Sequence, residues 1–261
     1  MKKQILAIFI ASQWSAIILA GQPSAPEAPP HVMKRVSMED VVYELQFVYK
    51  IPIHFEEVPI DMEKQPGISA EERLKELESL EPSSLTDGEK SFLNLLRRDK
   101  ERLKGQRVGF KKRRFNISLP PKGADPTEIL NLLIQKDPDY TWKKTNTSFI
   151  VHPKKPVDRP RIKSFILQDS NYPSARKKFM EEVLAPSKLE WGDIMSGPIR
   201  SDGSDFYDSF RFNLNLSDVD VYTALTRFCE CMGPNAIWTI TGLTGTDGVH
   251  EFGISFIQPE D

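Results

Sequence analysis

Four histidines, two cysteines and several close-set acids are the first places to look for chemistry in this 261-residue chain. His54 and His152 each close a stretch with strand character and could approach one another in a sheet; His31 and His250 lie apart from them. A zinc site needs three or four ligands in a fixed geometry. No third ligand sits at a suitable spacing, so the histidines read as solvated strand-end residues. Cys229 and Cys231 lie two apart inside a helical pattern. On a helix that spacing turns the side chains about 200° from one another, which rules out a disulfide there. Cys229 reads instead as a small core residue beside Phe228. In "SDGSDFYDS", Ser201 to Ser209, Asp202, Asp205 and Asp208 recur every third residue. A calcium loop alternates its ligands and closes on a bidentate Glu, so this is expected to be a solvated loop. Asp218 and Asp220 read as helix-capping acids. No nucleophile stands with a base, and no glycine loop is built to cradle phosphate. The expectation is a protein that is not an enzyme, with no catalytic residue, no metal and no cofactor.

The remaining candidate is electrostatic. Between Arg97 and Arg114 the chain is strongly basic, and Arg97, Arg98, Arg102, Lys111, Lys112 and Arg113 are the partner-binding residues it suggests. Such a run could meet an anionic lipid headgroup, an acidic glycan or an acidic protein face. The competing reading is that it neutralises the Glu-rich helix beside it in sequence. Nucleic acid is not expected: its binding sites interleave aromatic or base-reading groups with the charges, and Phe110 and Phe115 read as core. A formal net charge of -2 makes no global case for a polyanion. Trp142, Trp191 and Trp238 supply the alternative, a stacking platform for a glycan or small ligand.

The elements that must hold these residues can be read along the chain. Met1-Lys2-Lys3, an apolar run from Ile5 to Ala20 and the small pair Ala20-Gly21 have the layout of a secretory signal peptide over residues 1–21. The run is short for a membrane span, which needs about 20 apolar residues, and an uncleaved anchor is the alternative. Residues 22–30 form a Pro/Ala linker. A periplasmic or secreted location follows, and without a disulfide framework the fold must rest on hydrophobic cores.

Ser37-x-x-Asp40 opens a helix carrying Val41, Val42, Leu45 and Val48, and Ile51, Ile53 and Phe55 then alternate as a strand. Residues 60–106 differ in character. Ser69-x-x-Glu72 and Thr86-x-x-Glu89 open two helices of opposite charge, joined at Pro82-Ser83-Ser84, which suggests an inserted antiparallel hairpin. Then a pattern appears twice. Phe115, Ile117 and Leu119 return as Phe212, Leu214 and Leu216; the Asp125-Pro126 helix returns as the helix of Val221 to Cys229; Trp142 returns as Trp238. The offset is 97 residues at the first strand and 96 at the tryptophan. What recurs is read as Phe, Leu, Ile and Trp at core spacing, with the polar residues between them differing. Phe165 and Leu167 read as a strand, and Ala175 to Leu184 as a helix, ahead of the second copy.

An α+β fold of two small duplicated domains is therefore expected, each a mixed sheet with two helices. The first spans 31–153 with the hairpin inserted, the second 162–261, and residues 154–161, "KKPVDRPR", link them. Each half resembles the secretin and TonB N-terminal domain, on the strength of Asp40-Val41-Val42 with Leu45, Glu128-Ile129-Leu130 with Leu133-Ile134, and Thr223-Ala224-Leu225 with Phe228-Cys229. The aromatic hairpin Tyr140/Trp142 to Phe149/Val151 fits as well. The resemblance implies a periplasmic docking or signalling module with envelope proteins as partners. No stretch reads as the pore or barrel region that accompanies such domains in those families, so a free-standing module is expected. Oligomeric state, and whether the halves pack together or swing on their linker, is left open at this level.

Overall fold

The computed structural model describes residues 30–59, 67–85, 87–106, 108, 112–192, 210–241 and 250–257. The signal-peptide region, Thr86, Lys111, the Ser201–Ser209 acidic stretch and the Gly242–Gly248 turn lie outside the described residues.

The first half runs β1 (His31–Val36), α1 (Met38–Phe47), β2 (Ile53–Glu56), then the helical hairpin, then β3 (Phe115–Leu119), α4 (Pro126–Lys136), β4 (Tyr140–Lys144) and β5 (Phe149–Pro153). The hairpin consists of α2 (Ala70–Glu78) and α3 (Asp87–Arg98), followed by one further helical turn at Lys100–Leu103. The second half runs β6 (Ile162–Asn171), α5 (Tyr172–Phe179), β7 (Leu189–Trp191), β8 (Arg211–Val219), α6 (Val221–Glu230), β9 (Ala236–Thr241) and β10 (His250–Phe256). This is the expected α+β class. The helix expected over Ala175 to Leu184 changes its winding partway: α5 passes into a π-helical turn at Met180–Leu184 and a 3-10 turn at Ala185–Ser187.

The helix starts follow local chemistry. Asp40 N–H donates to Ser37 Oγ while Ser37 N–H donates to Asp40 Oδ2, a reciprocal cap that satisfies two otherwise orphaned amides. Ser69 and Glu72 do the same for α2. Asp125 caps α4 with Pro126 in its first turn, and Asp220 caps α6. Asp218 does not cap the helix; it has a left-handed backbone at φ 48° and pairs with Arg161 at 2.8 Å.

The strand pairing repeats from half to half. In each, the first and third strands form an antiparallel ribbon, β1 with β3 and β6 with β8. In each, the last two strands pair antiparallel and the fifth takes the second in parallel, β4-β5-β2 and β9-β10-β7. Even the irregularities match. Each ribbon bulges at a residue in the left-handed region, Arg35 at φ 52° and Asp169 at φ 42°. The bulged amide donates to an asparagine across the ribbon in both cases, Asn116 and Asn213, at 2.9 Å. The expectation that the polar residues of the repeat differ is therefore corrected: Arg-Phe-Asn stands at 114–116 and again at 211–213. The asparagine recurs because the bulge exposes an amide that needs an acceptor.

What no local pattern signals is that the sheet sections join. β2 pairs parallel with β9, Phe55 opposite Thr239 and Glu56 opposite Ile240, giving one six-stranded sheet in the order β4-β5-β2-β9-β10-β7. Ile53, Phe55, Phe149 and Val151 face the first half's core, with α1 and α4. Ile150 belongs to the other core, with Trp238, Ile240 and α6. Side chains alternate along a strand and paired neighbours share a face. The two cores thus lie on opposite faces of one sheet, and α6 covers the back of the first half. A third, smaller core closes within the hairpin around Leu74, Leu77, Leu93 and Leu96.

Asn116→Ala and Asn213→Ala should each lower stability by about 0.5–1.5 kcal/mol, the net worth of one partly solvated hydrogen bond. Urea denaturation measures it, and equal losses in the two halves are expected.

Candidate functional site

The line where the halves meet gathers a cluster of buried polar and aromatic side chains. The ladder there is short: two residue pairs, extended by Glu57 N–H donating to the Ile240 carbonyl at 2.8 Å. A few backbone bonds at about 1 kcal/mol each would not hold two halves together. The side chains do more. His54, Trp238, Tyr222 and His152 form a continuous stack, with ring centroids 5.1, 5.8 and 5.2 Å apart. The first and last rings come from the first half, the two between from the second. Burying a Trp or Tyr removes roughly 150–250 Å² of surface, worth up to about 4–6 kcal/mol. Aromatic burial therefore dominates the joint.

Charge sets its register. Glu56, wholly buried, accepts a hydrogen bond from the Tyr222 hydroxyl and pairs through Oε1 with Arg159 Nη2 at 2.6 Å. Arg159 lies in the segment expected to be a solvated linker, yet its side chain is only 3% exposed. None of the three Arg159 guanidinium nitrogens has a hydrogen-bond partner among the described residues, so the charge contact with Glu56 is what compensates the buried cation. A buried ion pair seldom adds net stability, but losing either partner is costly. It makes one arrangement of the halves the tolerable one, which answers the question of swinging: the linker is pinned into the joint.

The histidines need correcting. Solvated strand ends are the expectation, but His54 is 3% exposed and His250 is buried too. Trp238 N–H donates to His54 Nδ1 at 3.1 Å, which fixes that nitrogen as an acceptor. Burial lowers the His54 pKa from 6.5 to about 3. His250 is lowered as well, first by burial and then by the Arg159 charge. His152 rests on Tyr222 and His31 pairs with Glu44 at 3.2 Å. Among the described residues, no three His, Cys, Asp or Glu side chains converge as a metal site would require. Cys229 is fully buried and unbridged, its thiol pKa raised well above the ordinary value by burial.

The basic run is placed in detail. Arg97 bridges the hairpin to Glu78 at 3.0 Å, while Arg98 and Arg102 both meet Asp99. Lys112 reaches Glu39 and Glu57 at 2.7 and 2.6 Å, and Arg113 reaches Asp137 at 3.3 Å. Arg114, with Arg35 and Arg73, surrounds Glu89 of α3 and ties the hairpin to the body. The five described candidates are thus each matched within the chain; Lys111 lies outside the described residues. Of the tryptophans, Trp238 is completely buried and offers no platform, while Trp142 and Trp191 are half-buried.

Trp142 and Trp238, matched by the repeat, share a further contact. Trp142 Nε1 donates to Asn131 on α4, and Trp238 Nε1 donates to Thr226 on α6, both at 3.1 Å. The same device stands in both halves. Trp238 is covered because β2 brings His54 over it; Trp142 sits on β4, the outermost strand, and nothing described covers its outer side. Lys143 and Lys144 follow it on that edge, with no carboxylate partner among the described residues. Their ammonium groups lie 5.0 Å from the Tyr222 ring centre and 5.8 Å from that of Phe149. Beside them opens a groove of about 260 Å³ between the β4–β5 turn and α6, lined by Lys143, Lys144, Arg227 and Glu230 among others. No protein-family model, curated protein or solved structure matches the chain.

Two outcomes follow from the joint. Glu56→Leu or Arg159→Met alone should cost about 3–5 kcal/mol, and the two together much less, by a double-mutant cycle in urea. Because the folded His54 pKa lies below its unfolded value, the unfolded chain binds more protons between pH 6.5 and about 3. Stability is therefore full above pH 6.5 and falls with acidification, by up to about 1.4 kcal/mol per pH unit from this group. Chemical denaturation of His54→Phe across that window should show the slope reduced by about one proton.

Proposed function

We propose that the protein is a non-enzymatic docking module of the cell envelope, working in the periplasm and binding envelope proteins through the β4 edge of its sheet. The single observation that carries this is the unequal fate of two equivalent tryptophans: Trp238 is sealed by a neighbouring strand, and Trp142, on the edge strand, is covered by none among the described residues. A sheet edge offers a row of backbone donors and acceptors to an incoming strand. The buried Glu56–Arg159 pair supports the same reading, since halves held in one arrangement present the edge with little ordering cost. His54 and Glu56, two polar groups that could have served chemistry, are instead enclosed in the joint between the halves. The envelope location rests on the signal-peptide layout of residues 1–21. The hairpin's basic residues, paired within the chain, act in this reading to hold the insertion in place.

A photoreactive residue placed at Asn146, beside the edge, should crosslink in living cells to a discrete envelope protein. The same residue at Lys122, in the exposed turn before α4, should not. Adducts that are absent from Asn146, or equal at both positions, would overturn the docking reading.

A further inference from the structure

We infer that the β4 edge takes an extended, acidic strand of a partner protein, running parallel to β4 and repeating the contact that β2 makes with β9. The inference rests on the docking reading above and names the chemistry of the partner. Its template is internal. β9 is to the second half what β4 is to the first, by place in the sheet and by the tryptophan bonded to the adjoining helix. The strand that completes β9 is β2, in parallel, with His54 over Trp238, Phe55 opposite Thr239 and Glu56 opposite Ile240. Carried across the repeat, Thr239 becomes Lys143 and Ile240 becomes Lys144.

A strand seated on β4 in the same way would cover Trp142 and set the residue in Glu56's place opposite Lys144. The residue before it would stand opposite Lys143. In the joint, the Glu56 carboxylate is met by Arg159 and Tyr222; at β4 the same place is met by a lysine that no described carboxylate neutralises. Arg227 in the adjoining groove adds a further cation on the face of Lys143, although Glu230 holds it at 2.8 Å. Neutral or basic strands would leave two cations unmatched against them, which is how edge lysines protect a sheet from indiscriminate pairing. An acidic strand turns that protection into selectivity.

The chain's own covering strand supplies the probe. A peptide with the sequence of residues 51–58, IPIHFEEV, and its counterpart IPIHFKKV would be titrated into the isotope-labelled full chain and followed by amide and indole shifts. The acidic peptide should move the amides of Tyr140 to Lys144 and the Trp142 indole, and a spin label at its C-terminus should broaden Lys144 more than Tyr140. The lysine peptide should bind at least about tenfold more weakly. In the Lys143→Glu/Lys144→Glu variant the preference should reverse, a result that loss of folding cannot imitate. Equal binding of both peptides, or broadening strongest at Tyr140, would overturn the acidic or the parallel part of the inference. If the acidic peptide leaves β4 unmoved while Asn146 still crosslinks to an envelope protein, the strand chemistry fails and the docking reading stands. If both experiments are negative, both fail. Concentration-dependent broadening of β4 without peptide would assign the edge to a second copy of the chain and overturn the partner named here.

Discussion

The structure depends on one burial: the back of the first half's sheet, with His54, Glu56, Ile150 and His152 on it, is covered by α6 of the second half. Three of those four side chains are polar, and each has found its answer across the joint or beside it. His54 takes the Trp238 amide, Glu56 takes Tyr222 and Arg159, and His152 stacks on Tyr222. Aromatic area supplies the attraction, while the ion pair supplies discrimination, because a shift of one residue would strand a buried carboxylate. A ladder of two residue pairs could not specify that register by itself.

From this follows the division of labour among the cations. Arginines and lysines near acids are spent on architecture: Arg159 in the joint, Arg35, Arg73 and Arg114 around Glu89, Arg97 across the hairpin. Lys143 and Lys144 stand apart, on an edge whose counterpart in the second half is already completed. Density of charge along the sequence thus marks cations that have acidic partners within the chain. The run from Arg97 to Arg114 is conspicuous because a helical insertion needs many short-range pairs to hold it, whereas the two edge lysines look like ordinary strand-end residues.

Helix caps, strand alternation and the Trp142/Trp238 correspondence are legible in the sequence because they are set by neighbours within a few residues. Ser37 with Asp40 and Ser69 with Glu72 are examples in which four residues decide the outcome. The joint is not legible. Ile53-His54-Phe55-Glu56 alternates apolar and polar, the usual sign of one wet face, but the Tyr222 that covers Glu56 lies 166 residues further on. Arg159 reads as linker for the same reason: its partner is fixed by tertiary placement, and Pro-rich composition says only that the segment is extended. The recurring Arg-Phe-Asn could have been seen. An asparagine shared between copies on the polar side of a strand signals a backbone group in need of an acceptor.

The placement of the two cores on opposite faces of one sheet has a consequence for how the chain folds. Taken alone, the first half would expose Ile150 and the otherwise buried Glu56 to water, and the second would lose the strand that seals Trp238. Neither half owns its complete boundary. Folding is thereby made cooperative across the whole sheet, with the pairing of β2 and β9 as the step at which two marginal pieces become one stable body.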